Sequence, residues 1–488
     1  MRARRLPQTT ALSLLAAPLL MIAGIACGGP DPNASGRAPL ADKWLTRAKL
    51  AYRSGDLDDA ITAIDGALKN APKDPETRLL GARIALAKLD YSEAVKLTEG
   101  LTGSDVKGLR GRAFWYAGDI DKAADELEEM LRDPAVKDNW AKEVAKLARR
   151  GQGRHPFAIE GAIVAAVEMP QAGPALVVPM ELEGERVLAL IATAMGELMI
   201  DSSTRKEPAW VNLRFGEKLE VKDVPALTTD LSNISRQLGA PIKALIGVNA
   251  LRHMHVTFDR RGSQFVVRKT DATPPPDASK VPLFYVRGGG MMMRASVSNK
   301  EDGNALLFVD SSAFYPLALD DQMLKRSGAD LTAFRAEPGA PPAWKLGTLP
   351  YFKLGTLDLP QVPAMQGTPL GEIKSNFDVD LQGVVGAGLL SAFRVTFGED
   401  GRWVWLEVDP SLMGGPQGAP PMDEGPKPLP PPGGSMIPGG APVGPPPASG
   451  PPKPKAGPPA PIGPAAPAPA VPGAKTTAPK TESKGAAK

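Results

Sequence analysis

The stretch LLFVDSSAF, Leu306–Phe314, drives four apolar residues into a carboxylate, Asp310, and two hydroxyls, Ser311 and Ser312. An aspartate closing a strand is ordinary turn chemistry when it occurs once. Here it occurs twice, because GELMIDSST, Gly196–Thr204, sets Asp201, Ser202 and Ser203 behind a similar strand. The parallel extends upstream, where ALVVPMELEG and VLALIATA precede the first copy as VPLFYVRGGG and MMMRASVS precede the second. Downstream, Val224–Leu227 matches Val362–Met365. The run from Ile246-Gly247 through Leu251, Val256-Thr257-Phe258 and Gly262 then aligns without a gap to Val385-Gly386, Leu390, Val395-Thr396-Phe397 and Gly401. Short alternating runs separated by glycine turns read as strands. The chain is therefore expected to carry two related β lobes, at residues 155–270 and 281–408.

The paired aspartate loops, each followed by an apolar-apolar-glycine segment, resemble the retropepsin and pepsin-like aspartic protease family over Leu176–Val408. The resemblance implies that each loop passes beside a segment ending at Gly247 or Gly386, and that Asp201 and Asp310 meet on a pseudo-twofold axis. Ser202, Ser203, Ser311 and Ser312 would support the loops. Two carboxyls at hydrogen-bonding distance share one proton, so one activates water while the other polarises the scissile carbonyl. Both copies depart from the family at the third loop position, where Ser203 and Ser312 stand in place of glycine, and a side chain there restricts the backbone. The first lobe also lacks room for the helix-like PLALDDQMLKRSG, Pro316–Gly328, that follows Asp310. Two functions follow: a degenerate cleft that holds an extended polypeptide without cutting it, or an active aspartic endopeptidase using Asp201 and Asp310. The substitutions favour the first.

Upstream, residues 41–150 repeat a helical pattern. Trp44, Ala48, Gly55, Ala60, Ala67 and Pro72 form one unit. Ala82, Asp90-Tyr91, Ala94 and Leu101 form a weaker second, beginning near Pro75. Gly111, Trp115, Gly118-Asp119, Ala123, Leu127 and Pro134 form a third, and Asp138–Arg150 closes the array. These positions resemble the tetratricopeptide repeat, in which small residues let paired helices approach closely. Such an array presents a surface to a peptide or protein, or else packs on the neighbouring domain. The fold class is thus multidomain, an all-α tetratricopeptide-like repeat domain followed by an all-β bilobal aspartic-protease-like domain.

The N-terminus places Arg2, Arg4 and Arg5 before an apolar run, Ala11–Ile25, that ends at the single cysteine, Cys27. This is the layout of a secretory signal. It resembles a bacterial lipobox, with Gly24 where leucine is usual, which implies lipidation of Cys27 and membrane anchoring. Residues 1–27 would be the signal, 28–40 a flexible tether, and the location the bacterial cell envelope. Gly28, in place of an aspartate, favours the outer membrane or periplasmic side. A formal net charge of +3 with 5% aromatic residues argues against nucleic acid as a partner. Protein or peptide ligands and the membrane are the partners expected. Of His155, His253 and His255, the last two are expected to alternate on a strand with no cysteine or clustered carboxylate to complete a metal site, so neither metal nor cofactor is expected. No serine-hydrolase elbow occurs. Gly288–Gly290 lacks the lysine of a phosphate loop and reads as a turn. Residues 409–488, rich in proline, glycine, alanine and lysine, read as a disordered tail.

Overall fold

The computed structural model describes residues 37–408, apart from 337–340, 342, 369 and 376. Cys27, the apolar run before it, most of the tether and the tail lie outside the described residues. Seven helices come first: α1 (Pro39–Arg53), α2 (Leu57–Asn70), α3 (Pro75–Ala87), α4 (Tyr91–Thr98), α5 (Ser104–Ala117), α6 (Ile120–Leu131) and α7 (Asn139–Arg149). Asp56, Asp74, Asp90, Asp119 and Asp138 each precede one of them and accept a hydrogen bond from a first-turn backbone N–H. That satisfies a donor the helix leaves orphaned. Gly55 and Gly118 take left-handed φ values of 72° and 81° at the turns into α2 and α6, which a side chain would resist. Ala48, Ala60, Ala67, Ala113 and Ala123 are fully buried between the helices.

The first β lobe contains β1 (Ala158–Gly161), β2 (Val164–Glu168), β3 (Val177–Leu182), β4 (Glu185–Ile191), β5 (Leu198–Asp201), β6 (Ala209–Phe215), β7 (Leu219–Thr229), α8 (Ser232–Leu238), β8 (Ile242–Ile246), α9 (Val248–His253), β9 (Thr257–Asp259) and β10 (Gln264–Arg268). The second contains β11 (Ser279–Val286), β12 (Gly290–Ser296), β13 (Asn304–Asp310), β14 (Leu317–Leu319), α10 (Asp321–Arg326), β15 (Arg335–Ala336), β16 (Lys345–Leu354), β17 (Leu357–Gln366), α11 (Leu370–Ser375), β18 (Gly383–Gly386), α12 (Ala387–Leu390), β19 (Phe393–Gly398) and β20 (Trp403–Val408). Within the segment read as helix-like after Asp310, the first part is β14 and only Asp321–Arg326 is helical, because Asp320 supplies the cap at Met323 N.

The lobes share one strand order. In the first, β7-β5-β8-β4-β3-β6 closes on itself through β6–β7; in the second, β17-β14-β18-β13-β12 closes through β16, which pairs with both β17 and β12. From β12 the second lobe's sheet continues into a six-stranded run, β11-β20-β19-β9-β10-β2, that joins the lobes. At its centre β9 and β19 run antiparallel with Thr257 opposite Thr396, and their hydroxyls lie 2.9 Å apart. These are the two residues the sequence register equates, so the pseudo-twofold axis passes between them. Phe215, Phe258, Phe265, Phe352 and Phe397 are buried in a core that runs through both lobes.

The helical array lies across both lobes. Around α1 and α2, Tyr52 meets Phe284 edge-on at 5.7 Å, and Arg53 and Asp56 pair with Asp380 and Arg294 at 2.6 and 2.7 Å. At the other end Trp115 packs on Trp210 at 6.0 Å, whose indole N–H donates to Leu147 O at 2.9 Å. Part of the repeat surface is therefore spent on the chain's own β lobes. Among the described residues no helix is long and apolar enough to cross a membrane.

Candidate functional site

The centre of the β module is built from two strand ends. β13 runs parallel to β18 and sets Asp310 opposite Gly386. β4 runs parallel to β8 with Ile191 opposite Ile246. The residue one step beyond Ile191 is Ala192, whose N–H donates to Ile246 O at 3.0 Å. Ala192, beside Gly247, thus occupies in the first lobe the place of Asp310 in the second.

A symmetric hydrogen-bond grip fixes that register independently. Thr193 N and Ser311 N each donate to the other's side-chain hydroxyl at 3.0 Å. Thr193 Oγ1 donates to Val309 O at 2.8 Å, and Ser311 Oγ donates to Ile191 O at 2.7 Å. Both residues are fully buried. Each follows the apex of its loop by one position, so the apex residues are Ala192 and Asp310. The loops then cross the glycines in the same way: Val248 N donates to Met195 O at 2.8 Å and Ala387 N to Ala313 O at 2.7 Å. A Cβ on Gly247 would lie 2.1 Å from Glu197 O, and one on Gly386 2.0 Å from Tyr315 O. Glycine is required at both positions because no atom fits between the backbones.

This corrects the dyad read from the sequence. Asp201 ends β5, which lies between β7 and β8 just as β14 lies between β17 and β18. Its counterpart is Asp320 after β14, and neither belongs to a loop apex. Asp201 is a turn residue. Ser203 Oγ donates to it, Lys243 Nζ donates at 3.0 Å, and Leu231 N at 3.3 Å. Partial burial opposes its ionisation, but those three donors outweigh burial and hold the carboxyl below its ordinary value. Ser202 N donates to Thr229 O in the same turn, so neither Ser202 nor Ser203 supports a dyad loop.

Asp310 has the opposite setting. Ser312 donates to Oδ1 from its backbone N at 2.9 Å and from Oγ at 2.5 Å. Burial still dominates and pushes the carboxyl up, with the Ser312 bonds offsetting part of the effect. Across from it, Ala192 is fully buried in an apolar cluster with Val177, Leu190 and Leu245, against which Met195 and Phe314 pack. A methyl group in that cluster has no proton to share, so among the described residues Asp310 is the one carboxyl at the loop apices.

His253 and His255 do not alternate on a strand. His253 ends α9 and stacks on Phe157 at 4.5 Å. His255 takes φ 45° and approaches Asp271 Oδ1 with Nδ1 at 2.8 Å. Its ligand atoms and those of Asp271 and Asp400 lie within 4.8 Å of one another, a clustering of carboxylates that sequence distance concealed. All three lie in the connections at one end of the antiparallel strands β9, β10 and β19, His255 before β9, Asp271 after β10 and Asp400 after β19. Gly288, at φ 76°, lies in the turn between β11 and β12, as the glycine run implies.

A family profile described as tetratricopeptide repeat matches residues 45–101. Among solved structures, the Sgt2 TPR domain from Aspergillus fumigatus is 19% identical, covering 25% of this chain and 83% of its own, with a TM-score of 0.22. A retropepsin-like aspartic protease from Rickettsia conorii is 20% identical, covering 28% of this chain and 95% of its own, with a TM-score of 0.21. Basic 7S globulin from soybean is 10% identical over 51% of this chain and 95% of its own, with a TM-score of 0.33. No curated protein matches the sequence. The chain is thus a helical repeat region followed by a β-rich domain, and tetratricopeptide repeats are a protein-binding architecture.

Proposed function

We propose that this chain is an exported envelope protein, lipid-anchored through Cys27, that binds a protein or peptide partner through its helical repeats and a degenerate aspartic-protease-like cleft. The observation that carries the loss of catalysis is Ala192 at the position opposite Asp310. Acid–base hydrolysis by this architecture uses two carboxyls sharing a proton, and a carboxyl facing a methyl supplies only one. The competing reading, an endopeptidase using Asp201 and Asp310, loses its basis once Asp201 is committed to Lys243 and a turn. A binding role remains because a groove shaped to hold an extended chain can outlast its chemistry. Tyr52, Trp115 and Tyr116 are engaged with the lobes, so a partner would meet the repeat surface those contacts leave.

Digestion of an unbiased peptide library across acidic and neutral pH tests the catalytic half. No cleavage is the expected result, and cleavage by wild type that disappears in an Asp201→Asn, Asp310→Asn double variant would overturn it. Affinity capture from an envelope fraction, followed by mass spectrometry, tests the binding half, with retention of one partner by both proteins expected. For anchoring, Cys27→Ala should release the chain from membranes and abolish labelling by a fatty-acid analogue; unchanged fractionation would rule the anchor out.

A further inference from the structure

Where the C-terminal end of α5 meets the first lobe, Trp115, Tyr116, Phe157, Trp210, Asn249 and Arg252 line much of a cavity of about 80 Å³ whose rim includes Ala117 and Pro156. Its walls are mainly aromatic, but its polar groups are unbalanced. Asn249 is 4% exposed, and its Oδ1 accepts from Arg252 Nε at 2.9 Å. A guanidinium only donates, so that contact fixes which amide atom is oxygen. Nδ2 is then a buried donor, and it has no acceptor. Leaving such a donor unpaired is costly in a folded interior.

Arg252 adds a buried positive charge. It is 2% exposed, its guanidinium lies 5.7 Å from the centroid of the Tyr91 ring, and its hydrogen bonds include those to two neutral acceptors, Asn249 Oδ1 and, at a long 3.5 Å, Tyr116 O. His253, also on the cavity wall, is held well below its ordinary pKa, first by burial and then by the charge of Arg252, so it contributes no second cation. Glu197 is the one acid on the wall. It already accepts from Tyr116 Oη at 3.2 Å, and burial pushes it toward its neutral form. What the cavity lacks is an acceptor carrying negative charge. For size, an apolar cavity of about 150 Å³ admits the six heavy atoms of benzene, so this one encloses roughly three, the size of a carboxylate group, and leaves a short alkyl end to lie toward the half-buried Trp210 and Phe157.

We propose that this cavity binds a small monocarboxylate, its oxygens accepting from Asn249 Nδ2 and the Arg252 guanidinium and its alkyl end lying against Trp115, Trp210 and Phe157. The same chemistry is offered by a free short-chain acid and by the C-terminal carboxylate of a polypeptide entering past Ala117 and Pro156. The site is separate from the loop apices and does not depend on the binding role of the cleft.

Titration of the purified full chain at constant ionic strength, followed by intrinsic tryptophan fluorescence, tests it. Propionate should saturate at a concentration at least about tenfold below that of propionamide, a gap equivalent to about 1.4 kcal/mol, and propylammonium should give no saturable signal. Asn249→Asp, checked for folding by circular dichroism, should weaken propionate at least about tenfold by the same measure. A short peptide with a free C-terminus, compared with its amide and with propionate, separates the two sources. Equal responses to all three small ligands, or saturation by none, would mean that the cavity holds ordered water only and would overturn the proposal. Unchanged binding by a folded Asn249→Asp would do the same. If that variant fails to fold, the wild-type ligand series decides alone.

Discussion

The two lobes use one framework to hold different chemistry at the same point. In the second lobe the strand before the loop ends in Asp310, a carboxyl pushed up by burial and bonded within its own loop by Ser312 and Ala313. In the first lobe the equivalent strand ends in Ala192, packed among apolar side chains. Everything around that point is kept on both sides: the crossing glycines, the parallel strand beside each loop, and the hydroxyl grip of Thr193 and Ser311. Framework and chemistry have therefore separated. The grip and the glycines hold the lobes together whether or not two carboxyls stand above them, and only a dyad needs both.

The largest effect should come from the kept framework. Gly386→Ala and Gly247→Ala each force a methyl to about 2 Å from a backbone carbonyl carbon's oxygen, and should cost about 3 kcal/mol or more in chemical denaturation. Comparable stability in either variant would show that the loops do not cross as described. Next is Glu197→Ala at the junction with the helices. It strands the Tyr116 hydroxyl in a buried site and should cost about 1–3 kcal/mol, with earlier proteolysis between α7 and β1 as its local signature.

The two aspartates should then respond with opposite sign. The Asp201 pKa is depressed in the folded state, so its stabilising contribution is present above the unfolded value near ~3.9 and is lost as pH falls through the folded value. Asp201→Asn should destabilise by about 1 kcal/mol at neutral pH, a penalty that disappears in acid. The Asp310 pKa is raised. Its contribution is fully present below the unfolded value and is lost as pH rises through the folded one. Asp310→Asn should therefore match wild type in acid and exceed it at neutral pH by up to about 1 kcal/mol. Denaturation midpoints measured from acid to neutral pH would separate the two, and a stability loss in both variants would break the contrast.

The repeat helices were legible because their signals are local. Asp56 and Asp119 cap helices within three residues, and Gly55 and Gly118 turn the chain where they stand. The closing register was legible too, since Thr257 and Thr396 fall on equivalent strands and meet across the axis. The loop of the first lobe was not. Matching on Asp-Ser-Ser selects Asp201, while the apex lies in Ile191-Ala192-Thr193-Ala194, the end of the run VLALIATA that precedes it. Its signal was there, an apolar run followed by one hydroxyl between small residues. What separates β4 from β5 is which strand each joins, and that pairing reaches across dozens of residues to β8 and β7. The contact between His255 and Asp271 was hidden for a related reason: a left-handed residue takes His255 out of any strand alternation.

The most direct test of the lobe assignment is the titration of the Asp310 carboxyl, followed by carbon-13 NMR in wild type, Asp201→Asn and Ala192→Asp. Asp310 should titrate identically in wild type and Asp201→Asn, because Asp201 belongs to another turn and pairs with Lys243. In Ala192→Asp it should titrate as one of two coupled carboxyls, with two apparent steps spread apart. A shift of Asp310 in Asp201→Asn, with no coupling in Ala192→Asp, would contradict the account and return Asp201 to the centre of the site.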